Sequence, residues 1–320
     1  MFTTTAPLGS KLTDTTRRAF SMGFKFLRKG GMALFDVQPT NRKVEVFNSY
    51  VLDQFGHETG EGENFYNLDP TDGDELTLTQ GKITASLEVT DDIEMYDQYS
   101  VSAAIEGANG LGTANRNRME MDIQQFVGQA SAATYNDMDG NPVTTTSADG
   151  VSAFNNLHTI NSSASTFDNL DATAYGQTGL EAHENLFRLF LNHDGQRANR
   201  IPNTIFSTTK PTLVNLIREY YKSYYHVEDQ ARGVNEYMEK YSHIALEYLD
   251  TATDGSNDAT KDDYWGIAVR KGKNLKFRVS RNPILHPVQR VQRNRNLLMQ
   301  SESRYAVGIE DPVDIALSQA

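Results

Sequence analysis

Three strand-like runs close this chain: Trp265 to Arg270, Leu275 to Val279 and Leu297 to Ile309. In the second, Leu275, Phe277 and Val279 alternate with Lys276 and Arg278, the period of two that turns every other side chain onto a buried face. Lys271-Gly272-Lys273-Asn274 supplies the turn before it. The third run follows an Arg-rich, Pro-punctuated crossing and ends Arg304-Tyr305-Ala306-Val307-Gly308-Ile309-Glu310-Asp311-Pro312. A C-terminal quarter spent on sheet strands builds a scaffold and not an active site.

The rest of the chain supplies a small set of further elements. Thr13 or Asp14 can cap a short arm helix on which Phe20, Phe24 and Leu27 share a face, and Gly30-Gly31 stops it. Strand signals at Val44 to Phe47 and Ile83 to Val89 bracket an excursion from Phe55 to Gln80, whose acidic middle is Gly56-His57-Glu58-Thr59-Gly60-Glu61-Gly62-Glu63. A loop of that length with no periodicity of its own is uncommon in a compact monomer, so it is expected to rest on another chain or to be functional. From Thr113 the spacing of Met119, Ile123, Phe126 or Val127 and Ala130 predicts a long helix, with Arg116, Arg118, Asp122, Gln125 and Gln129 off its apolar face. Asp139-Gly140-Asn141-Pro142 marks a hairpin turn, and residues 155–179 read as an irregular polar crossing. A helix from Leu180 to Asn192 follows, then a strand from Ile201 to Thr208. Pro211 opens another helix carrying Leu213, Leu216, Ile217, Tyr220 and Tyr224, and His243 to Leu249 reads as a further strand.

The chain has 320 residues, no cysteine and a net charge of −12. Disulfides, thiolate metal sites and a cysteine nucleophile are excluded, and a whole-surface nucleic-acid binder is disfavoured because such proteins need a positive field. The distribution of charge says more. Met1 to Tyr50 carries eight Lys or Arg against three Asp or Glu; Val51 to Ser100 carries thirteen acidic residues and only Lys82; Lys261 to Ala320 carries eleven basic against six acidic. Such blocks are either ordinary solvated surfaces or, in an assembling protein, complementary faces of neighbouring copies. The first residues lack the charged start and apolar run of a signal peptide, and no stretch approaches the ~18 apolar residues of a membrane span.

Known catalytic spacings are missing: there is no His-Glu-x-x-His, no Gly-x-Ser-x-Gly and no phosphate-binding P-loop. Gly107-Ala108-Asn109-Gly110-Leu111-Gly112 reads as a tight entry to the long helix and not as a dinucleotide fingerprint. The seven histidines are scattered, and Asp137-Met138-Asp139-Gly140 lacks the first carboxylate of a calcium loop, Tyr135 standing in its place. No metal or cofactor is expected, and the protein is expected not to be an enzyme.

A basic arm, a long acidic loop between two strands, one long helix, a helix-strand-helix unit and the terminal strands ending at Arg304 to Pro312 follow in an order that resembles the Hong Kong 97-type major capsid proteins of tailed phages. The resemblance implies an α+β fold with an N-terminal arm (1–43), an extended loop with its strands (44–100), a peripheral domain with the spine helix (101–186), an axial domain (187–264) and C-terminal strands returning to the peripheral domain (265–320). It implies a head protein that assembles with itself, as hexamers and pentamers, into an icosahedral shell around double-stranded DNA held without sequence specificity. Separate scaffolding and portal proteins, and a decoration protein, are the implied partners; the virion capsid is the implied location, after assembly in the host cytoplasm, with no membrane involved. Phe20, Phe24, Leu27, Glu58, Glu61 and Glu63 are the expected contacts between copies, and Arg17, Arg18, Lys25, Arg28 and Lys29 the basic residues that could face DNA. The alternatives are the shell of a bacterial encapsulin-type nanocompartment, which shares the fold, and a carbohydrate-binding or adhesive protein, suggested by the Asn, Ser, Thr and Tyr content.

Overall fold

A computed structural model describes residues 6–25, 30–51, 57–65, 67, 71–90, 100–159, 166–192, 195–223, 235–291 and 296–320. The arm is a helix, α1 (Ala6–Lys25), that starts earlier than the cap expected at Thr13 or Asp14. Thr16 Oγ1 donates to the Thr13 carbonyl at 3.0 Å, a bond within the helix, so Thr13 and Asp14 lie in its interior. After β1 (Asp36–Pro39), strand β2 (Val44–Val51) pairs antiparallel with β3 (Thr71–Thr79), and β4 (Gly81–Val89) follows directly. The excursion therefore has a strand of its own: Leu76 and Leu78 alternate with Glu75, Thr77 and Thr79, and the two leucines are buried.

The long helix, α2 (Ser100–Gln129), begins thirteen residues before Thr113 and spans about 45 Å at 1.5 Å per residue. The glycine run that reads as an entry loop lies inside it, because those positions are where other elements press closest. A Cβ on Gly112 would stand 2.2 Å from the Phe20 carbonyl oxygen, and one on Gly23 of α1 would stand 2.3 Å from the Asn109 carbonyl oxygen. Two glycines thus notch the crossing of α1 and α2. Farther along, α2 is enclosed on nearly every side. Ile123, Phe126 and Val127 are fully buried as expected, but so are Arg116 and Gln125, read as outward-facing. Glu120 pairs with Arg116 and accepts from Gly31 N–H at 2.7 Å; Gln124 accepts from Tyr248 N–H at 2.7 Å; Gln125 Nε2 donates to the Ala252 carbonyl at 2.5 Å. Polar side chains here fasten the helix to the segments around it.

After the hairpin β5 (Thr134–Asn136) and β6 (Pro142–Thr144), turned at Gly140 with φ +79°, come β7 (His158–Thr159), β8 (Thr166–Phe167), β9 (Leu170–Asp171) and α3 (Gln177–Leu189). Then follow β10 (Thr204–Thr208), α4 (Pro211–Lys222) with its proline in the first turn, and β11 (Ser242–Leu246). The chain closes with β12 (Trp265–Ala268), β13 (Leu275–Leu285), β14 (Gln289–Arg290), β15 (Leu297–Ile309) and β16 (Ile315–Ser318). Tyr224, expected on α4, and Asp194, expected to end α3, lie outside the described residues.

Two five-stranded sheets organise these elements. The first runs β1-β13-β15-β14 with β4 on β15, and the second runs β11-β10-β12-β16-β9. The expected boundary at 264/265 does not separate them, because β12 and the unanticipated β16 join the second sheet. Strand β13 is longer than the sequence pattern indicates; its register shifts on either side of Arg281, and the second shift spans Pro283, which has no N–H for the ladder. Its second face is not left to solvent either. The β2–β3 hairpin covers it, placing Phe47 under Lys276 Nζ at 4.6 Å from the ring centre. The largest core joins both sheets to α2: Ile123, Phe126 and Val127 share it with Phe277 and Ile309 of the first sheet and with Phe206, Ile315 and Leu317 of the second.

Candidate assembly surface

The arm's expected contact residues separate once their surroundings are known. Phe20 is only 3 % exposed and packs with Ala104, Ala108 and Leu111 of α2 in its own chain, while Phe24 is half-buried beneath the Arg116 guanidinium. Neither waits for a second copy. Both were expected as contacts between copies; the glycine-notched crossing is what lets them pack within one chain. Arg17, Arg18 and Lys25 are exposed, and Leu27, Arg28 and Lys29 lie outside the described residues.

The acidic loop behaves differently. Glu58, Glu61 and Glu63 are all exposed. Between them the backbone turns tightly: Glu63 N–H donates to the Gly60 carbonyl at 3.1 Å, Gly60 N–H donates to Glu63 Oε2 at 3.0 Å, and Gly62 takes φ +88°, a left-handed conformation that glycine adopts without strain. Two residues on, Phe65 is 97 % exposed. Sequence patterning singles out the glutamates and passes over this aromatic, which stands beside Tyr66 at the end of the acidic run.

At the foot of the hairpin lies a wide cationic cleft of about 470 Å³, lined by Arg42, Lys43, Lys82, Arg281 and Arg304 with polar neighbours. One nearly buried carboxylate, Glu302, anchors it: Arg304 Nε lies at 2.8 Å, Arg281 Nη1 at 3.1 Å, His286 Nε2 at 3.6 Å and Lys82 Nζ at 3.8 Å. Burial alone would raise its pKa, but the hydrogen bond from Arg304 and the charges of Lys82 and Arg281 hold the carboxyl below its ordinary value. The cluster draws on β4, β13 and β15, so nothing in the linear sequence announced it.

The buried titratable groups have structural partners. His158 sits between Asp149 at 2.7 Å and Asn169 at 3.1 Å, closing the turn at residues 147–158. Asp137 and Asp139, candidates for a cation loop, instead receive the Arg118 guanidinium at 3.0 and 2.7 Å. Ser207 Oγ lies 2.9 Å from His243 Nε2, a nucleophile–base pairing that linear spacing did not reveal. The serine is fully buried, and burial followed by the Arg218 charge pushes the imidazole down to about 4. A base held that low by burial and a neighbouring cation, beside a buried serine, is poorly suited to nucleophilic catalysis. Among the described residues no cluster of His, Asp and Glu is arranged to hold a metal, and no helix is long and apolar enough to cross a membrane.

No family model matches this sequence, and no curated protein matches it. Solved structures do match, over nearly the whole chain. The capsid of a native GTA particle aligns over 91 % of this chain and 90 % of its own, with a TM-score of 0.55 and 10 % identity. The capsid of cyanophage P-SCSP1u aligns over 90 % and 86 %, with a TM-score of 0.56 and 10 % identity. The mature capsid of bacteriophage PhiM1 aligns over 92 % and 87 %, with a TM-score of 0.52 and 11 % identity. The chain has the α+β fold of Hong Kong 97-type capsid proteins.

Proposed function

We propose that this protein is the major capsid protein of a tailed bacteriophage, assembling with itself into the icosahedral shell that encloses a double-stranded DNA genome. The observation that carries the reading is the extent of the fold likeness: capsid subunits match it across 86–90 % of their own length and 90–91 % of this chain. The loop supports it from the chain's own chemistry. An acidic, exposed tip on a well-paired hairpin, set beside a cationic cleft elsewhere on the same surface, gives copies of one chain complementary charge.

In this reading the working parts are surfaces, and catalysis has no role. Hexamers and pentamers are the expected rings; the exposed Arg17, Arg18 and Lys25 of the arm offer sequence-independent contacts to packaged DNA; scaffolding, portal and decoration proteins act as separate partners. Assembly takes place in the host cytoplasm and the product is the virion head. Electron microscopy of the purified protein, alone and with co-expressed phage head proteins, tests it. Closed shells that take up DNA are expected. Small shells filled with protein cargo would point instead to a nanocompartment, and a monodisperse monomer under both conditions would overturn the shell reading.

A further inference from the structure

Among the described residues the two most exposed large apolar side chains are Phe65 and Ile201, at 97 % and 79 %. Each lies amid charge mainly of one sign, and the signs are opposite, Glu184 being the one acidic residue that lines the Ile201 cleft. Phe65 follows Glu58, Glu61 and Glu63 on the loop. Ile201 and Pro202 lie in a cleft of about 280 Å³ beside α3, whose rim carries Arg188, Arg197, Arg200 and Lys240. Lys240 is engaged by Glu184 at 2.5 Å, and Arg200 reaches Asp314 at 3.4 Å. Arg188 and Arg197 have no carboxylate partner among the described residues.

An aromatic ring exposed to this degree touches almost nothing in its own chain, so its receptor belongs to another molecule. The turn that presents it is already closed by two hydrogen bonds, which lowers the entropy lost on docking. Large exposed apolar groups ringed by charge are the usual anchors of protein contacts. The cationic cleft at the hairpin's foot is the weaker receptor, since its lining residues are all polar and Glu302 already pairs with three of its cations, Lys82, Arg281 and Arg304.

We propose that the loop tip of one copy docks into the α3 cleft of the next, Phe65 packing on Ile201 and Pro202 while Glu61 and Glu63 engage Arg188 and Arg197. This rests on the reading of the chain as a self-assembling shell subunit and names the contact that joins its copies. Tip and cleft are different patches, so the contact is head-to-tail and propagates around a ring until it closes.

The chain's lack of cysteine makes the contact directly testable. In a Phe65→Cys/Ile201→Cys double variant, oxidising assembled material should produce a covalent ladder on a non-reducing gel. Either single variant, and a Phe65→Cys/Arg281→Cys pair probing the other cleft, should stay monomeric. Independently, Arg188→Glu/Arg197→Glu should lower shell yield about tenfold, and adding Glu61→Arg/Glu63→Arg should restore it. Wild-type shells in the microscope with no ladder from the 65/201 pair, or a ladder from the 65/281 pair, overturn the docking and leave the shell reading intact. Should the cysteine pair itself stop assembly, the charge reversal decides: an undiminished yield, or no restoration, overturns the contact. A wild-type protein that forms no shells sinks both.

Discussion

The arm and the extended loop look alike in sequence, each a charged segment carrying a few apolar residues, and the structure sends them opposite ways. Helix α1 buries Phe20 to 3 % exposure against α2, whereas the loop leaves Phe65 at 97 %. The difference lies in what the rest of the chain offers. Gly112 on α2 and Gly23 on α1 let two helices approach closely enough to bury an aromatic between them. The loop tip meets no such groove among the described residues of its own chain. Apolar residues in a charged segment therefore do not by themselves mark an intermolecular contact; a receiving surface within the chain decides it.

Substitutions that treat the two regions as equivalent should give very unequal results. The largest effect is expected where α2 anchors everything: Ile123→Asp buries an unpaired carboxylate at a cost of several kcal/mol, enough to unfold the chain in a thermal melt followed by circular dichroism. Gly112→Leu comes next. It drives a side chain into the α1 backbone and should cost about 1–3 kcal/mol in urea unfolding, while Phe65→Ala should change monomer stability by less than about 0.5 kcal/mol and act on assembly alone. Equal losses from the two would erase the distinction between arm and loop. Gln125→Asp, mild if that face were solvated, should cost about 1–3 kcal/mol, because it removes the donor to the Ala252 carbonyl and places a charge in a closed site. An unchanged urea midpoint would return Gln125 to the surface.

The smallest expected effect is a pH dependence. Burial, and then the neighbouring Asp314 charge, lift Asp311 to about 7, and burial lifts Asp122 to about 6. Both folded values stand above the unfolded carboxyl value of about 3.9, so the stability these groups contribute is complete below that value and is lost as pH rises through about 6 and 7. Melting temperature should fall by a few degrees between pH 5 and 8, and Asp311→Asn should flatten the upper part of that slope. A slope that survives the substitution would assign it to other groups.

Local chemistry made part of this fold readable. The alternation of Leu275, Phe277 and Val279, the proline opening α4 at Pro211, and the turn at Gly140 all declare themselves within a few residues, and each stands where expected. What stayed hidden depends on distant partners. Arg116 and Gln125 are polar types on a helix enclosed all round, and the run from Gly107 to Gly112 looks like a break until the helix crossing it is present. Strand β16 is four residues long and buried throughout, too short to show a period. Strand β3 did carry alternation, obscured by its acidic neighbours. The acidic loop tip was legible from composition; the exposed Phe65 and the arginine-rimmed cleft were not, since nothing periodic marks one and folding assembles the other.

Mechanically, α2 is a beam held unequally along its length. Its C-terminal half is gripped by both sheets through one continuous core, while its N-terminal half holds Gly107, Gly110 and Gly112 and packs against α1 and the first sheet alone. Each glycine costs a helix about 1 kcal/mol relative to alanine, so stiffness is lowest there. Flexure of the helix then falls in that limber half, which carries the arm across one sheet and not the other. In the proposed shell, a subunit fitting rings of different size would find its adjustment in those few turns of helix, upstream of the doubly held half.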